Sequence, residues 1–156
     1  MKKAGAIALA AAVAVIVMCM FRKEKNSDAD MSYYSRKLGT DGQTGRQEMI
    51  EVLGPPLFEG GDTVDYGAFA LRFDRTDTLT GISVYAAEVD VLKGVHVGDE
   101  RSVFTSSYEQ WLLDDRTAII FYGEYSLTNS KGVQIACKAD SSDRITEIQI
   151  DQIQYK

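Results

Sequence analysis

Apolar and polar positions along this chain follow first a helical and then a strand period, and that order occurs twice. Met49, Ile50 and Leu53 recur at helical spacing behind Thr44-x-x-Gln47, which has the form of a capping box. Gly54-Pro55-Pro56 is a firm stop for that helix. Phe69, Leu71 and Phe73 then alternate with Ala70 and Arg72, the period of a strand with one apolar face. Further on, Asp99 is placed to cap a helix carrying Val103, Ser107, Tyr108, Trp111 and Leu112 along one stripe. Asp114-Asp115 would sit unfavourably at the negative end of that helix, which is expected to stop before them. Ile148 and Ile150 again alternate with Glu147, Gln149 and Asp151.

The two halves also match residue by residue. Phe69–Val84 lies over Ile135–Ile150 at a constant offset of 66 without a gap. Asp74 meets Asp140, Asp77 meets Asp143, Leu79-Thr80 meets Ile145-Thr146, and Ile82 and Val84 meet Ile148 and Ile150. Upstream, Tyr66-Gly67 matches Tyr122-Gly123 at an offset of 56, which assigns about ten extra residues, Glu124 to Gly132 and its edges, to the second copy. The expected fold is α+β: two tandem helix-plus-antiparallel-strand repeats, residues 39–92 and 93–156, form one sheet with helices on one face and water on the other.

With the Gly98-Asp99 helix start, the Leu53-Gly54-Pro55 helix end, the Tyr-Gly hairpins and the paired Leu/Ile-Thr-x-Ile-x-Val/Ile strands in view, residues 40–155 resemble the β-lactamase inhibitory protein fold. They are also similar to the smaller single-unit lipoproteins of outer-membrane assembly. The resemblance is one of architecture and implies a protein-binding or envelope role. It carries over no contact residue, because no position matches a specific recognition motif.

The N-terminus has a different pattern altogether. Ala4 to Phe21 is an unbroken apolar or small run between Lys2-Lys3 and Arg22-Lys23. As a helix of 18 residues it would span about 27 Å, close to the hydrocarbon thickness of a bilayer. Its Ala-x-Ala patterns, such as Ala12-Val13-Ala14, fall inside the run, where cleavage would leave an apolar stub. Cys19 invites a lipoprotein reading, but it follows Met18, where such signals place a small residue. Residues 4–21 are therefore expected to be an uncleaved transmembrane signal-anchor, with 22–38 as a linker. Positive charges flank both ends equally, so orientation rests on the very short N-terminal tail, which favours a single-pass protein with its domain outside the cytoplasm.

Charge narrows the partners. The net charge of −6 conceals a basic N-terminus; from Asn26 onward there are 12 basic and 22 acidic residues, a net of −10. Such a surface is repelled by phosphate backbones, and nucleic acid is not expected as a partner. One histidine, His96, and two separated cysteines, Cys19 and Cys137, supply neither a multi-histidine metal site nor a disulfide framework. His96 has no nucleophile beside it and reads as a solvent-facing residue of a short strand. Asp74-Arg-Thr-Asp77 and Asp140-Ser-Ser-Asp143 could offer paired carboxylates to calcium, but without the EF-hand pattern they read as equivalent hairpin turns. Cys137 aligns with Leu71 and reads as a small core residue. No phosphate-binding glycine fingerprint is present, and no cofactor is expected.

What remains is surface chemistry. Tyr66, Trp111, Tyr122 and Tyr125 are residue types found at binding hot spots. The added segment should form a longer, protruding hairpin around Asn129-Ser130, presenting Tyr122, Tyr125 and Leu127 as partner contacts. The expected function is a non-catalytic, membrane-anchored interaction module of the cell envelope, binding an unidentified protein. The alternative is an envelope sensor or carrier of a small ligand or ion, which would need an apolar pocket with convergent polar groups.

Overall fold

The computed structural model describes residues 29–113, 118–121, 124–129 and 131–153, and of 108–113, 118–121, 124 and 125 the backbone alone. The anchor expected at 4–21, like Tyr122 and Gly123, lies outside the described residues. No helix among the described residues is long and apolar enough to cross a membrane.

Three helices and eight strands are described. Helices α1, α2 and α3 are Met31–Lys37, Arg46–Leu53 and Arg101–Leu113. Strands β1 to β4 are Phe58–Gly60, Thr63–Asp65, Phe69–Phe73 and Leu79–Val84. Strands β5 to β8 are Ala118–Phe121, Glu124–Thr128, Val133–Ala139 and Ile145–Gln152. All eight form one antiparallel sheet in the order β1-β2-β3-β4-β8-β7-β6-β5. The α+β class and the single sheet agree with the sequence pattern.

Alternation fixes the core. Val64, Leu71, Ile82, Val84, Ile135, Cys137, Ile148 and Ile150 are all fully buried, together with Met49 of α2, Phe104 of α3 and Tyr34 of α1. Val91, Leu92 and Val95, from the connector between β4 and α3, join the same core. The four aliphatic residues paired by the offset of 66 meet across the centre, Ile82 opposite Ile150 and Val84 opposite Ile148.

Matched positions carry matched contacts. Arg46 N donates to Asp77 O and Arg101 N to Asp143 O, both at 2.9 Å. Leu79 N donates to Thr44 O at 2.7 Å and Ile145 N to Asp99 O at 2.8 Å. Asp74 and Asp140 each accept two amides of their own turn on Oδ1, and Asp77 and Asp143 both take left-handed backbone, with φ of 57° and 61°. Register shifts occur at Arg72/Phe73 and at Lys138/Ala139. Arg46 and Arg101 pair with Asp77 and Asp143 at 2.9 and 2.6 Å, tying each helix start to a hairpin turn. Because the aspartates are solvent-exposed, each pair contributes about 0–1 kcal/mol.

Several local expectations change. Thr44-x-x-Gln47 forms no capping box: the N-cap of α2 is Gly45, without a side-chain cap bond, because residues 44 and 45 are drawn into extended pairing with 78 and 79. Asp99 does not cap α3 either. Its carbonyl is taken by Ile145 and its Oδ2 accepts the His96 amide at 2.8 Å, so the carboxylate closes the preceding turn. His96 lies in that connector and not in a strand. Part of the stretch expected as linker is helical: Asp30 caps α1 by accepting Tyr33 N at 3.0 Å, and Met31, Tyr34 and Ser35 are buried. A helix of seven residues is too short to register as periodicity.

The matching of the two Tyr-Gly pairs also fails. Tyr66-Gly67 joins β2 to β3, whereas Tyr122-Gly123 stands in the chain between β5 and β6. Val64 pairs with Leu71 and Tyr125 with Cys137, which sets the offset of the outer hairpins at 61. From helix start to β7–β8 turn the second half is longer by eleven residues, the offset rising from 55 at Arg46 and Arg101 to 66 at Asp77 and Asp143; six are added between the start of α3 and Tyr125, and only five, between Tyr125 and Cys137, fall in the expected segment.

Truncating Ile148 to Ala in the central ladder should cost about 2–5 kcal/mol, read as a lowered urea midpoint at unchanged slope. A loss below about 1 kcal/mol would show that the ladder is not the packed centre described here.

Candidate partner-binding face

One face of the sheet carries the helices and the other does not. On the helix-free face, a register row crosses all eight strands: Phe58, Asp65, Ala70, Ser83, Gln149, Ala136, Ser126 and Ile119. Ala70, Ser83, Ala136 and Ser126 are only 6–8 % exposed. They are sheltered by longer neighbours two residues along each strand. One rim holds Arg72, Asp151 and Gln134, and the other holds Lys138 and Glu147. Within the rims Arg72 pairs with Asp151 and Lys138 Nζ with Glu147 at 3.1 Å, while Gln149 Nε2 donates to Glu147 at 2.7 Å and Gln134 to Ser126, tying rim to floor. The result is a shallow trough whose floor of small residues is interrupted at its centre by Gln149, about 19 Å long from β3 to β6 and about 13 Å between rims by strand spacing and rise. Phe58, 60 % exposed, stands at its β1 end, and Leu57 beside it is 80 % exposed.

Electrostatics inside the trough are set by burial. Burial holds the Asp151 carboxyl above the usual carboxylate range, only partly offset by the Arg72 guanidinium. Asp74, in contrast, is fully exposed and is held below that range by the Thr76 hydroxyl and the amides of Thr78 and Thr76.

The residues singled out from the sequence fall elsewhere. Leu127 is 2 % exposed and belongs to the core, so it is packed into the fold and not presented to a partner. Tyr125 pairs in register with the core residue Cys137, and its side chain lies outside the description, as does Tyr122 altogether. Of the three, Leu127 alone has a described side chain. Tyr66 is half-buried, stacks on Phe69 with centroids 5.0 Å apart, and donates through its hydroxyl to Gly54 O at 3.1 Å. His96 lies between two carboxylates, with Nε2 3.8 Å from Asp90 and Nδ1 3.5 Å from Asp99. The Asp74–Asp77 and Asp140–Asp143 segments are turns, and no cluster among the described residues has the composition to hold a metal. Cys137 is a buried free thiol whose pKa is pushed up to about 12 by burial.

A second concavity, of about 330 Å³, lies between α1 and the β3–β4 turn. Asp30, Ser32, Thr44, Asp74, Thr78, Thr80 and Gln152 line it, with Met31 and Leu79 as the apolar members. It is open to solvent and lacks the enclosure of a small-molecule site. Phe58 and the trough floor escaped the sequence reading. Their signal was present as small residues at the wet positions of four strands, visible only once register lines them up.

The raised carboxyl gives a pH test. Because Asp151 titrates higher in the folded than in the unfolded chain, its contribution is full below the unfolded value and is lost as pH rises through the folded one. Urea midpoints across the acid range should show this component in the native protein and not in Asp151→Asn. Identical pH profiles for the two would contradict the assigned burial.

Comparison with known proteins adds the fold alone. No family model matches the chain, and no curated protein matches it. Among solved structures it is similar to a DUF4309 family protein, YjgB, from Bacillus subtilis subsp. subtilis str. 168, at 12% identity and a TM-score of 0.50, covering 83% of this chain and 100% of that one.

Proposed function

We propose that this chain is a non-catalytic, membrane-anchored interaction module whose recognition surface is the helix-free face of its sheet. The observation that carries the reading is the row Ala70, Ser83, Ala136 and Ser126, small and nearly covered where no helix lies over them. A floor of small side chains between long, self-paired rims accepts a protruding ridge of another protein, and large side chains of that ridge can reach the floor. Phe58 supplies an exposed aromatic at one end. We read the two halves as copies of one helix-plus-meander unit, supported by matched contacts between helix starts at an offset of 55 and hairpins at an offset of 66; the resemblance to the β-lactamase inhibitory protein fold points to the same protein-binding role. Residues 4–21 are read as the anchor, with the domain outside the cytoplasm. The groove beside α1 is wide open to solvent and not enclosed, which favours this reading over a ligand carrier.

The test is capture of the partner by the full-length, detergent-solubilised protein from its own cells. Ala136→Arg and Ser83→Arg, each placing a long cation on the floor, should lower recovery roughly tenfold with the urea midpoint kept, while Asp140→Asn in a remote turn should not. Undiminished recovery with both arginine variants would remove the trough from consideration.

A further inference from the structure

The β6–β7 turn makes contacts that its counterpart in the first half does not. Asn129 is 5 % exposed, and its Oδ1 accepts the amides of Lys131 and Val133 at 2.9 and 3.0 Å. An asparagine side chain has an acceptor oxygen and a donor nitrogen. The oxygen closes the turn, and Nδ2 donates to the carbonyl of Ala29 at 2.6 Å, a hundred residues earlier. Ala29 is buried, and Met31 and Tyr34, directly after it, fill the core. The C-terminal strand grips the same turn: Gln152 Nε2 donates to Lys131 O at 3.0 Å and Ile153 N to Gly132 O at 2.8 Å. In the first half, the β2–β3 turn closes through Asp65 Oδ1 and Gly67 N at 2.7 Å, and Tyr85 N donates to Ala68 O at 2.9 Å as Ile153 N does to Gly132 O; what the second half adds is the side-chain bonds of Asn129 to Ala29 and of Gln152 to Lys131. The five residues added between Tyr125 and Cys137 lengthen β6, β7 and their turn, four of them through the pairs Leu127 with Ile135 and Thr128 with Gln134.

We infer that the β6–β7 hairpin is a clasp that fixes where the N-terminal segment leaves the folded body, so that the domain rides on its tether with that end, on average, nearer the membrane. This rests on the reading of residues 4–21 as a membrane anchor. Residues 22–28 are all that separates the apolar run from Ala29, and fully extended they reach at most about 25 Å. That reach is about the length of β7 itself, so a leash ending at a buried and hydrogen-bonded residue holds the strand ends at Asn129, Lys131 and Gln152 nearer the bilayer, on average, than the β7–β8 turn at 140–143 at the other end of that seven-residue strand.

Asn129→Asp separates the two roles of the residue, because it keeps the acceptor oxygen for Lys131 and Val133 and loses the donor to Ala29. In the full-length protein in micelles, hydrogen exchange of amides 29–34 should quicken roughly tenfold in this variant while β8 stays protected. Unchanged exchange at 29–34, or equal loss throughout β8, would overturn the clasp. In phosphatidylcholine vesicles, with Cys19→Ser as background, a fluorophore on Lys131→Cys should be quenched by headgroup spin labels roughly threefold more than one on Ser141→Cys, given the strand length between them. Protein that floats with vesicles but shows equal quenching at both labels also overturns it. Protein that fails to float defeats the anchor reading instead, and the exchange measurement still decides the clasp.

Discussion

β4 and β8 meet along four backbone pairs, from Gly81 with Asp151 to Val84 with Ile148, and among the described residues this ladder is where the strands of the two halves join. Its inward side chains, Ile82, Val84, Ile148 and Ile150, are all fully buried, so the hydrophobic effect and the ladder hydrogen bonds act on the same residues. A slip of one residue would turn all four into water and the wet-face residues into the core. Moving residues by 66 positions exchanges Ser83 with Gln149, which face each other, and turns the pair Ile82 with Ile150 into the pair Ile148 with Val84, so the centre of the ladder maps onto itself. The register of pairing and the spacing of the sequence match are independent facts that agree.

That agreement shows which parts of the fold could be read from residues alone. Strands β3, β4, β7 and β8 could, because one face of each is buried and alternation records it. Helix ends could not be placed from capping patterns. Thr44 and Asp99 carry the right chemistry, but backbone pairing with Leu79 and Ile145 claims their carbonyls. Helix α1 was invisible for a related reason: seven residues acquire helical form by burying Met31 and Tyr34 against strands distant in sequence.

The site was less legible than the fold. Leu127 looked like a presented side chain because an insertion suggests a protrusion, yet an inserted pair of strand residues can equally extend the sheet inward, and here it does. Asn129 looked like an ordinary turn former, and half of its hydrogen bonding is indeed that; the other half reaches Ala29, a contact no local pattern encodes. The trough depends on cross-strand neighbours, and a chain read in order places Ala70, Ser83 and Ala136 far apart.

The near-symmetry of the central ladder bears on orientation in binding. Arg72 and Lys138 stand 66 positions apart on opposite rims, so a partner turned half a revolution would meet a cation at either rim. Charge on these two positions therefore cannot tell one docking direction from its reverse. The distinction falls to positions where the halves differ: Gly81 against Glu147, Tyr85 against Asp151, and the aromatic Phe58 at a single end. On the proposed reading, the direction of docking would be set where the two halves differ.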